Sequence, residues 1–231
     1  MYRPRRSAFS LVELLVSITV IALLSVLSFA AFGKITEARN NSKCAANLRQ
    51  LGAATLLFTT DHNNRYPVLS HSENGTYQSF WYRELRVYLG AKSTTLDYNP
   101  TTGKQYNLPV FYCPSIDKDK AYPHTHYGAN RYVFIAPDEE NPMIMNSVHN
   151  IPEPSHTALF SEVLNPTSST YPQAGWQAVP YRIKAAKDDY IPVDRHNGHV
   201  NMVFADGHTE SLEAAELKEK IDYYFGEDYF E

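Results

Sequence analysis

The stretch Ala8-Phe9-Ser10-Leu11-Val12-Glu13-Leu14-Leu15-Val16 decides how the rest of the chain is read. From Phe9 to Phe32 the sequence continues with a single ionisable side chain, Glu13. At a rise of about 1.5 Å per residue, this run makes roughly 36 Å of helix, enough to cross a hydrocarbon core of about 30 Å. In front of it Met1 to Ala8 carry Arg3, Arg5 and Arg6 and no acid. Such a basic flank holds the N-terminus in the cytoplasm and places everything after Gly33 on the far side of the membrane.

Three kinds of segment compete for this run. A secretory signal peptide has an apolar stretch of about 7–15 residues followed by a small-residue cleavage site. Ser28 and Ala30 offer such a site, but the run is too long and Glu13 interrupts it. A plain single-pass anchor fits the length and leaves Glu13 unexplained, although a carboxylate at that depth costs up to a few kcal/mol and marks a function. Its natural partner is an amine at the same level. No Lys or Arg lies within one helical turn of Glu13. A cut between Ala8 and Phe9 would create an α-amino group there and make Glu13 the fifth residue of the mature chain. The amine of one subunit could then neutralise Glu13 of its neighbour as helices bundle.

Ala8 to Val16 resembles the class III signal of type IV pilins and type II secretion pseudopilins. The resemblance implies a leader removed on the cytoplasmic side by prepilin peptidase, N-methylation of Phe9, and a role for Glu13 in assembly. Ala8 stands where that family usually has glycine; it is also small. The implied partners are the prepilin peptidase/methyltransferase, other pilin-like subunits, the secretion or pilus assembly machinery and the inner membrane.

Composition agrees with an anchored extracytoplasmic domain. The 231 residues suit one soluble domain behind one membrane segment. The net charge of −4 provides no basic field to recruit nucleic acid. Seventeen tyrosines and fourteen prolines, all but Tyr2 and Pro4 after Gly33, suggest a loop-rich domain. Two cysteines, Cys44 and Cys113, leave two readings open: one bridge in an oxidising compartment, or two separate buried thiols.

Residues 34–60 hold no proline, and Cys44, Leu48, Leu51, Thr55 and Phe58 fall along one helical face. The pattern predicts one helix of about fifty residues, half in lipid and half on the domain, ending at Asp61-His62-Asn63-Asn64. Gly52 weakens it by about 1 kcal/mol relative to Ala and allows a bend. Cys44-Ala-Ala-Asn47-Leu48-Arg49-Gln50-Leu51-Gly52 resembles the segment after the anchor in one branch of pilin-like proteins, which often carries a later Cys-Pro, as Cys113-Pro114 does here. The resemblance implies a Cys44–Cys113 bridge tying helix to domain.

Beyond it, Phe80 to Leu89 reads as an amphipathic helix capped by Gly90, and residues 91–126 as a long polar connection. Strands are expected at Arg131–Ile135, Thr157–Ser161, Val200–Ala205 and His208–Leu212. Asp206-Gly207 between the last two is a hairpin signal. Glu213 to Phe225 carries Leu217, Ile221 and Tyr224 at helical spacing. The order predicts an α+β fold, a long helix packed on an antiparallel sheet. Its segments are a leader at 1–8, a transmembrane helix at 9–33, the outer half of the long helix at 34–61 and a globular domain at 62–231.

Two groups of residues raise the question of metal. Major pseudopilins bind calcium on a loop, and Asp117, Asp119, Asp138, Glu139 and Glu140 could supply oxygen ligands, but without EF-hand spacing they read first as solvated loop. His196, His199, Asp206 and His208 crowd one segment, yet no zinc-ligand spacing orders them. His196, nine residues, then Asp206-Gly207 resembles the C-terminal H-X9-DG motif of that prepilin branch. The first reading of His196, Asp206 and Gly207 is structural, fixing a loop and a turn, with partner recognition and a metal-dependent enzyme as alternatives. No G-x-S-x-G, P-loop, dinucleotide-binding or cysteine-nucleophile signature is present in the sequence. The expectation is a non-enzymatic subunit of a pseudopilus or pilus-like filament. The alternative is a membrane-tethered binding protein for glycan or peptide that does not polymerise.

Overall fold

The computed structural model describes residues 10–73, 76–99, 104–116, 124–134, 145–164, 177–178, 191–193 and 195–226, without the side chains of 27–31, 70–79, 98–99, 104–106 and 177–178. It divides into two compact units, Met1–Arg39 and Asn40–Glu231.

Helix α1 spans Leu11–Asp61, 51 residues without a proline. In the first unit its apolar side chains face outward, with Leu11, Leu14, Leu15, Ile18 and Ile21 all more than half exposed. Ser17, Thr19 and Ser25 turn their hydroxyls back on the helix. Ser17 donates to the Glu13 carbonyl at 2.6 Å and Ser25 to that of Ile21 at 2.7 Å. Such back-bonding satisfies the polar groups locally and leaves the outer surface apolar. Among the described residues no helix is long and apolar enough to cross a membrane.

The second unit is α+β. From Asn40 onward α1 buries the predicted face: Cys44, Leu48, Leu51 and Thr55 are fully covered and Phe58 nearly so. The helix stops where the sequence indicated, with Asn63 and Asn64 at φ 54° and 60°, since asparagine tolerates the left-handed region better than most residues. A main sheet of five strands packs against it. In chain order its strands are β5 (Tyr127–Asn130), β6 (Ala158–Glu162), β7 (Gln177–Ala178), β8 (His199–Phe204) and β9 (Thr209–Glu213). Spatially they lie as β7-β5-β6-β8-β9, antiparallel except where β7 runs parallel to β5. Two small antiparallel ladders precede it, β1 (Ser70–Glu73) with β2 (Thr76–Phe80), and β3 (Asp97–Asn99) with β4 (Lys104–Tyr106).

Strand β8 shows how the sheet is covered on both faces. Val200, Met202 and Phe204 join one apolar cluster with Leu217, Ile221 and Phe225, contributed by the short helices α4 (Ala214–Glu219) and α5 (Ile221–Phe225). Val203 and Ala205 join the other cluster, with Leu48, Leu51 and Phe58 of α1. This alternation is the period of two that a pleated strand imposes. Gly52 lies tight against the strand: a Cβ there would sit 2.6 Å from Val203 Cγ2. The helix runs on through Gly52 as helix, so the glycine serves close approach to the sheet.

Several expected boundaries change. Arg131–Phe134 is not a strand but the helical turn α3. Asn130 explains this: its Oδ1 accepts the Tyr132 amide at 3.0 Å, and its Nδ2 donates to the carbonyls of Ala158 and Phe225. A side chain that caps the next turn while bonding two other segments ends the strand there. The closing helix is two pieces broken at Lys220, and Trp81–Tyr88 forms α2, followed by Gly90 at φ 88°. The connection at 91–126 contains β3, β4 and a 3-10 turn at Pro109–Phe111.

Candidate functional site

Three elements converge on the inner face of the sheet. Helix α1 supplies Cys44 and, one turn later, Asn47. The turn after Pro109–Phe111 supplies Cys113. The two cysteines form a disulfide with Cα atoms 5.1 Å apart, spanning 69 residues of sequence. Asn47 Nδ2 donates to the Tyr112 carbonyl at 3.0 Å and to the Tyr127 hydroxyl at 3.2 Å, so the same face of α1 grips loop and sheet.

The third element is the turn before β8. His196, Asn197 and Gly198 hold φ of 48°, 56° and 83°, three consecutive left-handed residues. For a residue bearing a Cβ that conformation costs roughly 1–2 kcal/mol. The turn is closed by the Gly198 amide on the Arg195 carbonyl, and the Gly198 carbonyl accepts Ala214 N, each at 2.8 Å. It drives the His196 ring into the core, where Nε2 lies 2.8 Å from Glu162 Oε1 and 3.6 Å from Cys113 Sγ. Both side chains of this pair are fully buried.

A buried carboxylate needs partners for all its lone pairs. Glu162, the last residue of β6, finds them on β8: its Oε2 accepts the Asn201 amide at 2.9 Å and Asn201 Nδ2 at 3.2 Å. Asn201 Nδ2 also donates to Asn41 Oδ1 of α1 at 2.7 Å. Tyr127, across from Glu162 in the β5–β6 register, feels the same environment. Burial and then the Glu162 charge push its hydroxyl well above its ordinary range, against the Asn47 hydrogen bond and the Arg195 charge. The outcome is a buried polar belt fastening α1 to the sheet beside the disulfide.

Asp206, Gly207 and His199 lie elsewhere. Asp206 and Gly207 sit in the β8–β9 turn. There the Gly207 amide donates to the Phe204 carbonyl at 2.9 Å with Gly207 at φ 91°. Asp206 Oδ1 accepts the His208 amide at 3.0 Å and pairs with His208 Nδ1 at 2.6 Å. Burial pushes the Asp206 carboxyl up, but the hydrogen bonds and charge of His208 outweigh it and hold the group below its usual value. The His199 ring turns to its own loop, its Nδ1 being 3.3 Å from the Asn197 carbonyl. His196, His199 and Asp206 therefore do not form a common centre. Among the described residues, those able to hold a metal together are Cys44, Cys113, Glu162 and His196, with one ligand atom from each lying within 4.8 Å of the others. Sequence reasoning missed Glu162; the available signal was an acid directly after the expected strand Thr157 to Ser161.

At the N-terminus, Glu13 lies in the first turn of α1, where its Oε2 accepts the Ser10 amide at 2.9 Å. The carboxylate thus turns toward the start of the helix, where unpaired amides and the helix dipole favour negative charge. Ala8 and Phe9 lie outside the described residues, as do Asp117, Asp119, Asp138, Glu139 and Glu140.

A long N-terminal helix with an outward apolar surface, followed by an α+β domain fastened to its second half, is an arrangement consistent with a pilin-like fold. Residues 3–29 match the prokaryotic N-terminal methylation motif, which supports a pilin-like precursor of the prepilin or pseudopilin kind. No curated protein and no solved structure matches the chain.

Proposed function

We propose that the chain is a structural subunit of a type II secretion pseudopilus or type IV pilus-like filament. Prepilin peptidase cuts it between Ala8 and Phe9, and Phe9 is then N-methylated. Residues 9–33 hold the precursor in the inner membrane by a single span, with its N-terminus cytoplasmic and its domain in the periplasm. Assembly removes that segment from lipid and buries it among the same segments of neighbouring subunits, with Glu13 paired to a neighbour's α-amine.

The observation that carries this reading is the outward apolar surface of α1 from Leu11 to Val26 with one carboxylate in it. Helices of this kind remain in lipid or find one another, and the single acid gives their association a register. The role is structural rather than catalytic: the imidazole–carboxylate pair at His196 and Glu162 is sealed in the core and fastens α1 to the sheet. The H-X9-DG residues fit this role as two separate fixtures, His196 in the belt and Asp206-Gly207 in the turn.

The test is Glu13→Ala in cells that process the wild type. Cleavage and membrane insertion should persist while cross-linked multimers and sheared filaments disappear. Multimers formed as readily as by the wild type would refute the assembly role and favour a tethered binding protein for glycan or peptide. Loss of secreted folded enzymes on deletion would assign the filament to secretion; loss of surface filaments with intact export would assign it to a pilus.

A further inference from the structure

We propose that Cys44, Cys113, Glu162 and His196 form a closed, four-ligand site for a zinc-class divalent metal when the disulfide is reduced, so that bridge and metal are alternative occupants of one buried pocket.

The donor set is two sulfurs, one imidazole nitrogen and one carboxylate oxygen, each from a different part of the fold. Bonds of about 2.3 Å to sulfur and 2.0–2.1 Å to nitrogen or oxygen give a tetrahedral site ligand-to-ligand edges of roughly 3.3–3.8 Å. The observed Cys113 Sγ–His196 Nε2 distance of 3.6 Å lies within that range, and the His196 Nε2–Glu162 Oε1 distance of 2.8 Å needs about half an ångström of expansion. All four residues are at most 2 % exposed. The pocket therefore has the sealed character of a structural zinc site, with no side open to a substrate. Its outer contacts are in place: Asn201 holds Glu162 Oε2 through two hydrogen bonds and leaves Oε1 facing the cluster, the kind of support that orients a ligating carboxylate. Two thiolates, a carboxylate and a divalent ion leave one net negative charge, beside the buried Arg195 of the same turn.

A dithiol reductant gives two electrons and two protons to the sulfur–sulfur bond, becoming a disulfide itself and leaving Cys44 and Cys113 as thiols. Metal binding then releases both thiol protons to solvent, and the proton that His196 Nε2 shares with Glu162 Oε1 in the disulfide form moves to Nδ1, so that Nε2 and Oε1 each present a lone pair. Either occupant ties α1 to the loop at Cys113; the metal would add the sheet and the β8 turn to the same knot.

The test uses the full-length chain in detergent, oxidised and after reduction by a phosphine that does not compete for metal, titrated with Co(II) and then zinc. The reduced chain should take up one Co(II) with a thiolate-to-cobalt absorption and the strong visible bands of tetrahedral geometry. Zinc should displace it and raise the melting temperature of the reduced chain only. Glu162→Gln and His196→Ala should each weaken binding by about tenfold or more, while His199→Ala should not. A reduced wild-type chain that shows no tetrahedral cobalt spectrum, whether folded or unfolded, overturns the proposal. So does binding of equal strength when Glu162 or His196 is replaced, because the two thiols alone would then account for it. Filament assembly plays no part in these readouts.

Discussion

Replacing Gly52 by alanine sets two well-understood effects against each other. In an exposed helix the change would stabilise the protein by about 1 kcal/mol through backbone entropy. Here the added Cβ would lie 2.6 Å from Val203 Cγ2, roughly 1 Å inside the optimum carbon–carbon separation. Val203 is β-branched, fully buried, and on a strand held by neighbours on both sides, so neither rotation nor retreat is easy. Overpacking of this kind costs about 1–3 kcal/mol, and the rigid surroundings place it near the top of that range. The net expectation is a loss of about 2 kcal/mol, a fall of roughly 4–8 °C in melting temperature for a domain of this size. Thermal melts followed by circular dichroism and by the fluorescence of buried Trp81 would measure it in the detergent-solubilised chain. In a Val203→Ala background the clash is gone, and Gly52→Ala should become neutral or stabilising by about 1 kcal/mol. A single variant that melts higher than wild type, or a cycle with no coupling, would refute the close approach of α1 to β8.

Two further outcomes follow from the same belt and from the turn at the other end of β8. Replacing both Cys44 and Cys113 by alanine frees a loop of 69 residues, and chain entropy sets the loss at about 4 kcal/mol; a loss below about 1 kcal/mol in a metal-free denaturant melt would contradict a bridge that constrains the unfolded chain. Because the folded Asp206 carboxyl sits below its ordinary value of 3.8, its contribution is complete above that pH and is lost as pH falls below it. Asp206→Asn should therefore flatten the acid limb of the stability profile relative to wild type, and parallel profiles would show that the His208 contacts do not act on the fold.

The sequence made some of this visible and hid the rest for identifiable reasons. The buried face from Cys44 to Phe58 was legible because a helix repeats its own pattern every few residues, and the Asp206-Gly207 turn because glycine alone enters the left-handed region freely. Arg131 to Phe134 misled because its aromatic and β-branched residues suit a strand, while the side chain of Asn130 reaches partners 28 and 95 residues away. Glu162 was hidden in the same way: its partner His196 lies 34 residues further on, and nothing local distinguishes it from a surface acid. Gly52 was legible as a glycine in a helix, but the reason for it stands on strand β8. His196 and Asp206 stand close in sequence and at two unrelated sites in space, because the six residues of β8 carry the chain from the core to an exposed turn.

The outermost strand of the sheet has a bearing on crowding. Among the described residues β9 pairs only with β8, which leaves one row of its backbone groups without a strand beside it. A bare row of that kind invites the sheet of another molecule to continue it, and a filament would hold such rows at high local concentration. Here Thr209 to Glu213 reads T-E-S-L-E, with Glu210, Ser211 and Glu213 exposed. A second copy laid against that border would bring like charges together and would find no continuous apolar stripe to cover. The border thus discourages zippering between domains, so that in the filament proposed above the N-terminal helix would be the surface that joins the copies.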